Sequence, residues 1–167
     1  AVCSSLTNIS VAAENPVCRD IGGVLYSKDG STLLTFPCGR GGNYAVPDGT
    51  ACLGQDAFAG AALTGLRLPA SVVTIAGETA MSPDIRLFNK TLPLSRSGTA
   101  VFAAPCLTNI SVAAENPVYR DIGGVLFSKN GAMLLAFPAG RGGNYAVPVG
   151  VSRIRNWAFG GCGSLTG

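Results

Sequence analysis

Few side chains in this sequence could support catalysis, because the 167 residues include no histidine. Without histidine, the usual imidazole base for a serine or cysteine nucleophile is missing. Paired carboxylates remain, namely Glu14 with Asp20 and Glu115 with Asp121. Each pair lies beside a proline in a repeated loop, where a structural role is the simpler interpretation. We therefore expect no enzymatic activity and no catalytic, cofactor-binding or metal-binding residues.

Two other groups of residues could bind a ligand. The glycine-rich stretch 39–44, repeated at 140–145, could form a backbone nest for an anion. It lacks the following helix of a phosphate-binding loop, so we interpret it as a connection between strands. Arg153, Arg155 and Trp157 alternate as on a half-exposed strand and could contact a partner. A solvated strand face is the simpler interpretation of these three residues.

Three asparagines lie in acceptor sequences for N-glycosylation: Asn8-Ile9-Ser10, Asn89-Lys90-Thr91 and Asn109-Ile110-Ser111. Each asparagine comes two residues after a leucine that begins a predicted strand. Residues in one phase of a solenoid stack along one side, so glycans at Asn8, Asn89 and Asn109 would form a column. We predict N-glycosylation at all three asparagines, and the alternative is a bacterial source that leaves them bare.

The elements that position these residues are organised by an internal repeat. Residues 6–50 recur as residues 107–151 without gaps, and only nine of the 45 aligned positions differ. Shorter, irregular repeats fill residues 51–106 and 152–167. Self-similarity on this scale is typical of repeat architectures, so we predict a single solenoid segment over residues 1–167.

Within the long repeats lies a shorter pattern, L-x-x-L-x-L. It occurs at Leu6-x-x-Ile9-x-Val11, Leu63-x-x-Leu66-x-Leu68 and Leu107-x-x-Ile110-x-Val112, and imperfectly at Leu87-x-x-Lys90-x-Leu92. From residue 63 to 87 is 24 residues, and from 87 to 107 is 20. This spacing predicts leucine-rich repeats, in which each turn contributes one short strand and buries its leucines against the next turn.

A second pattern precedes the strand. It reads Val151-x-x-Ile154-x-x-x-Ala158-Phe159-x-x-Cys162-x-x-Leu165-Thr166 and is partly matched at Leu53, Ala57-Phe58 and Leu63-Thr64. With these motifs the chain resembles the BspA-like leucine-rich-repeat family of bacterial and protist surface proteins. The resemblance implies a secreted or surface-attached binding and adhesion protein that has no catalytic residues.

Turn signals predict a β-hairpin in each long repeat. Residues 23–27 and 32–36 flank Lys28-Asp29-Gly30, and Asn130-Gly131 fills the corresponding turn in the second repeat. We therefore expect a mainly β fold, a BspA-like leucine-rich-repeat solenoid with inserted β-hairpins. Only short helical turns are expected, near Ala57-Phe58 and Ala158-Phe159.

The six cysteines include no C-x-x-C pair, so disulfides in an oxidising compartment or buried free thiols are the remaining interpretations. Cys18 and Cys38 are both replaced in the second long repeat, by Tyr119 and Ala139. Because positions 18 and 38 flank the predicted hairpin turn symmetrically, we predict a Cys18–Cys38 disulfide. Two independent buried thiols are the alternative. No partners are assigned to Cys3, Cys52, Cys106 and Cys162.

The overall composition is apolar and weakly charged. Hydrophobic residues make up 47% and charged residues 13%, against about 25% charged in a typical soluble domain. These numbers exclude a disordered chain, and a net charge of +3 without a basic run gives no indication of nucleic-acid binding. No stretch predicts a transmembrane segment. A surface so poor in charge suggests cover by a partner or by sugar.

The sequence begins near Cys3 and ends near Cys162 in almost the same phase of the repeat, without the polar caps of a typical solenoid. We expect either head-to-tail association into a fibre or continuation into neighbouring repeats. Our main hypothesis is a non-enzymatic, N-glycosylated structural protein of the cell surface or matrix. The alternative is a surface adhesin that recognises a host or matrix protein.

Overall fold

The computed structural model describes residues 4–76 and 101–167, and within these residues all regular structure is β-strand. The first half contains β1 (Cys18–Ile21), β2 (Val24–Ser27), β3 (Thr32–Thr35), β4 (Gly42–Ala45), β5 (Cys52–Leu53), β6 (Leu63–Leu68) and β7 (Thr74–Ile75). The second half contains β8 (Asn109–Val112), β9 (Tyr119–Ile122), β10 (Val125–Ser128), β11 (Met133–Ala136) and β12 (Arg153–Ile154).

The strands form sheets, here called walls, and the chain passes from one wall to another and back. One wall is a five-stranded sheet in the order β1-β2-β3-β5-β7, and another is a parallel sheet in the order β4-β6-β8. Going from β3 to β7, consecutive strands fall alternately in these two sheets, so each turn of the chain adds one strand to each wall. The second long repeat, together with β12 that follows it, builds a four-stranded sheet in the order β12-β11-β10-β9. This winding is a solenoid, as the repeat pattern predicted.

The parallel sheet buries the leucine pattern. Tyr44, Leu66 and Ile110 lie in register across β4, β6 and β8. Leu66 and Ile110 are buried, because alternate side chains of each strand point into the solenoid. β8 pairs directly with β6. The repeat spacing that the sequence shows through Leu87 is therefore not the spacing between paired strands. The strand predicted at residues 87–92 lies outside the described residues.

A row of phenylalanines runs through the interior beside this sheet. The ring centroids of Phe36 and Phe58 are 5.7 Å apart, and those of Phe58 and Phe102 are 6.2 Å apart. Phe137 and Phe159 repeat the contact at 5.4 Å in the second half. Full burial of such a side chain contributes roughly 1.5–3 kcal/mol, so the row is a main source of cohesion between turns. The predicted helical turns at Ala57-Phe58 and Ala158-Phe159 are hydrogen-bonded turns, not helix.

Each hairpin is one strand larger than the sequence suggested. The predicted turn does join β2 to β3, but a tight Gly22-Gly23 turn, with φ of 56° and 81°, also joins β1 to β2. The result is a three-stranded antiparallel meander, repeated as β9-β10-β11. Glycine adopts such positive φ values without a steric cost, which explains the glycine pair.

The meander corrects the predicted Cys18–Cys38 disulfide, since both thiols are free in the structure. Cys18 lies opposite Ser27, at the end of the meander where Thr32 begins β3, whereas Cys38 follows the other end of β3. At ~3.3 Å per residue, the length of β3 alone separates these ends by about 10 Å, beyond the ~7 Å limit between bridged Cα atoms. The symmetric positions of Cys18 and Cys38 about the turn would bring the two residues together only in a simple two-stranded hairpin.

Candidate functional site

The carboxylates that could have formed catalytic pairs are used to bind backbone. Asp20 Oδ1 accepts a hydrogen bond from the backbone N–H of Val11 at 2.9 Å. Asp121 does the same for Val112, the last residue of β8, also at 2.9 Å. Each aspartate therefore satisfies a backbone amide of the segment that precedes its own hairpin. The neighbouring Glu14 and Glu115 are exposed on the surface.

The sulfur and oxygen ligands of the described residues do not converge on a metal site. No group of three or more histidine, cysteine, aspartate or glutamate side chains is close enough there to hold an ion. Burial raises the pKa of the Cys52 and Cys162 thiols, which disfavours their nucleophilic thiolate form. The free cysteines of the described chain are Cys18, Cys38, Cys52, Cys106 and Cys162, and Cys3 lies outside it.

The glycine-rich stretch holds an arginine clamp. Arg40 donates from Nη1 to the carbonyl oxygen of Gly22, and its guanidinium lies 5.7 Å from the ring centroids of both Phe36 and Tyr44. Arg141 repeats the arrangement in the second long repeat. Each clamp ties a hairpin tip to the aromatic interior through a hydrogen bond and cation–π contacts. This geometry favours a structural role over an anion-binding nest, although residues 42–44 form part of β4 and are not a connection between strands as predicted.

An asparagine side chain lies over a glycine at four places on the outer face of the solenoid. The pairs are Asn8 over Gly23, Asn43 over Gly65, Asn109 over Gly124 and Asn144 over Gly167. A Cβ atom added to Gly65 would lie 2.5 Å from Asn43 Oδ1, and one added to Gly167 would lie 3.0 Å from Asn144 Oδ1. The glycines thus provide the space in which the carboxamides lie flat.

Two of these asparagines belong to the predicted glycosylation sequences. Asn8 and Asn109 are both exposed, and Asn8 Nδ2 donates to the Ser10 hydroxyl at 3.2 Å. Asn109 lies on β8 beside Gly65 of β6. Both asparagines therefore lie on the surface of the solenoid. Asn89, the third member of the predicted column, lies outside the described residues.

Sequence analysis missed a buried asparagine that joins the second long repeat to the preceding turn. Asn116 donates from Nδ2 to the carbonyl oxygens of Pro69 at 2.9 Å and Val72 at 2.8 Å. Its Oδ1 accepts from two backbone amides of its own loop, at 2.9 and 2.7 Å. Asn15 makes the same local turn in the first repeat.

A pair of tyrosines marks a polar difference between the long repeats. The hydroxyls of Tyr26 and Tyr44 lie 2.8 Å apart inside the solenoid. Burial, together with this hydrogen bond, raises the pKa of Tyr26 far above its ordinary value. In the second repeat Phe127 replaces Tyr26, and the Tyr145 hydroxyl is buried without a hydrogen-bond partner. Burial also raises the pKa of Tyr145.

The three residues that alternate near the end of the sequence differ in their surroundings. Arg153 lies on β12 in register with Met133 of β11 and is exposed. Arg155 is partly buried and donates from Nη2 to the carbonyl oxygen of Ala76 at 3.3 Å. Trp157 lies in the following turn with φ of 63° and is 63% exposed. The predicted alternation therefore ends within a strand of two residues.

Comparison with known proteins gives similarity in fold. No family model matches the chain, and no curated protein matches it. A leucine-rich-repeat protein from Eubacterium ventriosum is similar in structure, with 21% identity, a TM-score of 0.54, and coverage of 72% of this chain and 27% of that one. The pneumococcal vaccine antigen PcpA aligns with 18% identity, a TM-score of 0.44, and coverage of 70% and 30%.

The chain spans about a quarter of the length of the first of these structures. Identity at this level shows the fold alone, and it agrees with the walls of parallel strands and the buried leucines. Within the described residues, no helix is long and apolar enough to cross a membrane. The protein therefore has the leucine-rich-repeat solenoid fold.

Proposed function

We propose that the chain is a non-enzymatic structural repeat protein of a cell surface or extracellular matrix. The single observation that carries this proposal is the use of its polar side chains. Asp20, Arg40 and Asn116 all bind backbone carbonyls or amides that hold strands and turns together. Such a set of contacts builds a surface and leaves these groups already engaged within the fold.

N-glycosylation and an extracellular location form part of the same proposal. Exposure of Asn8 and Asn109 supports glycan attachment, and the low charge of the sequence supports a surface covered by sugar or by a partner. Intact-mass measurement of protein from its native source, before and after enzymatic glycan removal, tests this part. A decrease in mass supports the proposal, whereas an unchanged mass contradicts it.

We also propose head-to-tail association, or association with neighbouring repeats of the same kind. The support comes from the β6–β8 pair, in which strands 44 residues apart in sequence join edge to edge. Strand edges of this type can therefore pair without a short connection between them. Electron microscopy and light scattering over a range of protein concentrations test the proposal. Filaments or oligomers that grow with concentration are expected, and a monomer at every concentration would contradict it.

A surface adhesin is the second candidate, and the outer face of the parallel sheet favours it. Thr64, Arg67 and Asn109 are exposed there and offer hydrogen-bonding groups on a flat surface to a host or matrix protein. A stable monomer that lacks glycans and binds a purified matrix protein would favour this function over the structural one.

A further inference from the structure

The end of the described chain has an unusual distribution of charge. Residues 122–167 contain Lys129, Arg141, Arg153 and Arg155 and no acidic residue, so their net charge is +4. The equivalent residues 21–66 contain two basic residues, at positions 28 and 40, and three acidic ones, at 29, 48 and 56, so their net charge is −1. The two equivalent stretches thus differ by five units of net charge. The positive charge of the later stretch favours an anionic partner.

Three of the four basic side chains donate a hydrogen bond to a backbone carbonyl oxygen. Lys129 donates from Nζ to the carbonyl oxygen of Ala114, and Arg141 forms the clamp to the Gly123 carbonyl. Arg153 is exposed on β12. Arg155 uses Nη2 for one carbonyl and has five N–H donors in all. Arg153 and Arg155 are the two basic residues next to Trp157 in the sequence, and their guanidinium groups retain N–H donors for an anion.

Trp157 lies two residues beyond Arg155 in a backbone conformation that does not suit it. Its φ is 63°, and Asp56 at the equivalent position has φ of 56°. Aspartate tolerates this left-handed region, whereas a bulky aromatic residue there costs of order 1–3 kcal/mol. Most of the indole is exposed, so its packing does not offset this cost. A strained, exposed tryptophan indicates a role in binding.

The exposure of position 157 does not depend on what stacks beside the turn. In the first half, Leu53 is completely buried because β7 pairs with its strand, yet Asp56 three residues later is exposed. The turn that holds Asp56 or Trp157 therefore points outward even where the neighbouring strand is covered. The indole faces solvent on the side of the solenoid.

We propose that Trp157, Arg153 and Arg155 bind an anionic polysaccharide, a chain of sugars that carry carboxylate or sulfate groups. The apolar face of a sugar ring packs on the exposed indole, and the guanidinium groups bind the anions through charge-assisted hydrogen bonds. The absence of acidic residues from 122–167 removes repulsion within that segment. This inference rests on the proposed surface or matrix function, for which it names a class of partner.

The chain provides its own probe, because Trp157 is the only tryptophan in the sequence. Fluorescence of the full chain is titrated with polygalacturonate and with dextran sulfate, which supply carboxylate and sulfate groups respectively. Uncharged dextran and polyglutamate serve as comparisons. We expect a saturable change in Trp157 fluorescence with at least one anionic polysaccharide, weakened by salt, and no change with dextran.

Three variants locate the site. The double variant Arg153→Gln/Arg155→Gln is expected to weaken binding roughly tenfold, whereas Arg67→Gln, which removes an exposed arginine from the parallel sheet, leaves binding unchanged. Trp157→Gly relieves the left-handed strain, so we expect an equal or higher melting temperature with loss of binding. Retention on an immobilised polysaccharide column measures binding in this variant, which lacks the fluorophore.

Each contrary outcome is decisive. Absence of any fluorescence change with both anionic polysaccharides overturns the inference, as does equal binding by the double arginine variant. Tighter binding of polyglutamate would assign the surface to an acidic protein instead. These results leave the proposed structural function in place, because filament formation and glycan mass are measured independently. If filaments fail to form while the polysaccharide binds, the association proposal alone is contradicted.

Discussion

The two long repeats offer a matched test of how a buried hydroxyl contributes to stability. Replacing Tyr44 by Phe removes the 2.8 Å contact and leaves the Tyr26 hydroxyl buried without that partner. Replacing Tyr145 by Phe removes a hydroxyl that is buried without a partner already. The same chemical change at equivalent positions should therefore have opposite consequences.

The magnitudes follow from the cost of an unsatisfied polar group. Loss of one partner from a buried pair costs about 1–3 kcal/mol, whereas replacement of both partners by apolar groups of the same shape is nearly neutral. We expect Tyr44→Phe to lower the free energy of unfolding by that amount. Tyr145→Phe should leave it unchanged or raise it slightly. The double variant Tyr26→Phe/Tyr44→Phe should recover most of the loss, since Phe127 shows that phenylalanine fits this position.

Urea unfolding, followed by circular dichroism, measures these differences. In a chain of this length, 1 kcal/mol corresponds to roughly 2–4 °C in melting temperature, so thermal unfolding serves as a second assay. Equal destabilisation by Tyr44→Phe and Tyr145→Phe would refute the reasoning, because it would mean that the contact between the hydroxyls is irrelevant. A double variant less stable than Tyr44→Phe would refute it as well.

Three further predictions concern the contacts between turns. Asn116→Asp should lower the free energy of unfolding by about 3 kcal/mol or more, because a carboxylate would face two buried carbonyl oxygens. Asn15→Asp should have little effect on the urea midpoint. Gly65→Ala should lower the free energy of unfolding by about 1 kcal/mol, because the added Cβ would meet the Asn43 side chain. In a double-mutant cycle, prior replacement of Asn43 by Ala should remove most of that cost. Equal costs with and without the Asn43 replacement would contradict the contact. Burial raises the pKa of Tyr26, so above pH ~10 the unfolded state releases the proton first and stability should fall as pH rises. A urea midpoint that stays constant from pH 9 to 11 would contradict this last prediction.

The solenoid could be predicted from the sequence because the leucine pattern indicates directly which residues are buried. A strand with one buried face needs apolar residues at fixed positions, and β6 and β8 carry them. β4 escaped detection because its residues, Gly42–Ala45, follow no leucine pattern and are specified by pairing with β6. The Gly22-Gly23 turn was an available signal for β1, since paired glycines are typical of tight hairpin turns.

The contacts that hold the turns together depended on context that the sequence does not contain. The side chain of Asn116 binds the carbonyl oxygens of Pro69 and Val72, which lie 47 and 44 positions earlier in the sequence. The predicted bridge between Cys18 and Cys38 was wrong for a similar reason. β1 was not predicted, and with this strand present the two thiols lie at opposite ends of the meander. Exposed Trp157 was noticed as a candidate, but its left-handed backbone became apparent only in the structure.

Through-space NMR contacts between side chains test most directly whether successive turns stack on one another. Tyr44, Leu66 and Ile110 lie in register on neighbouring strands, and parallel strands are ~4.8 Å apart. We predict that the methyl groups of Leu66 contact both the Tyr44 ring and the Ile110 methyl groups. Contacts from Leu66 to other partners, with none to these two residues, would contradict the stacked solenoid.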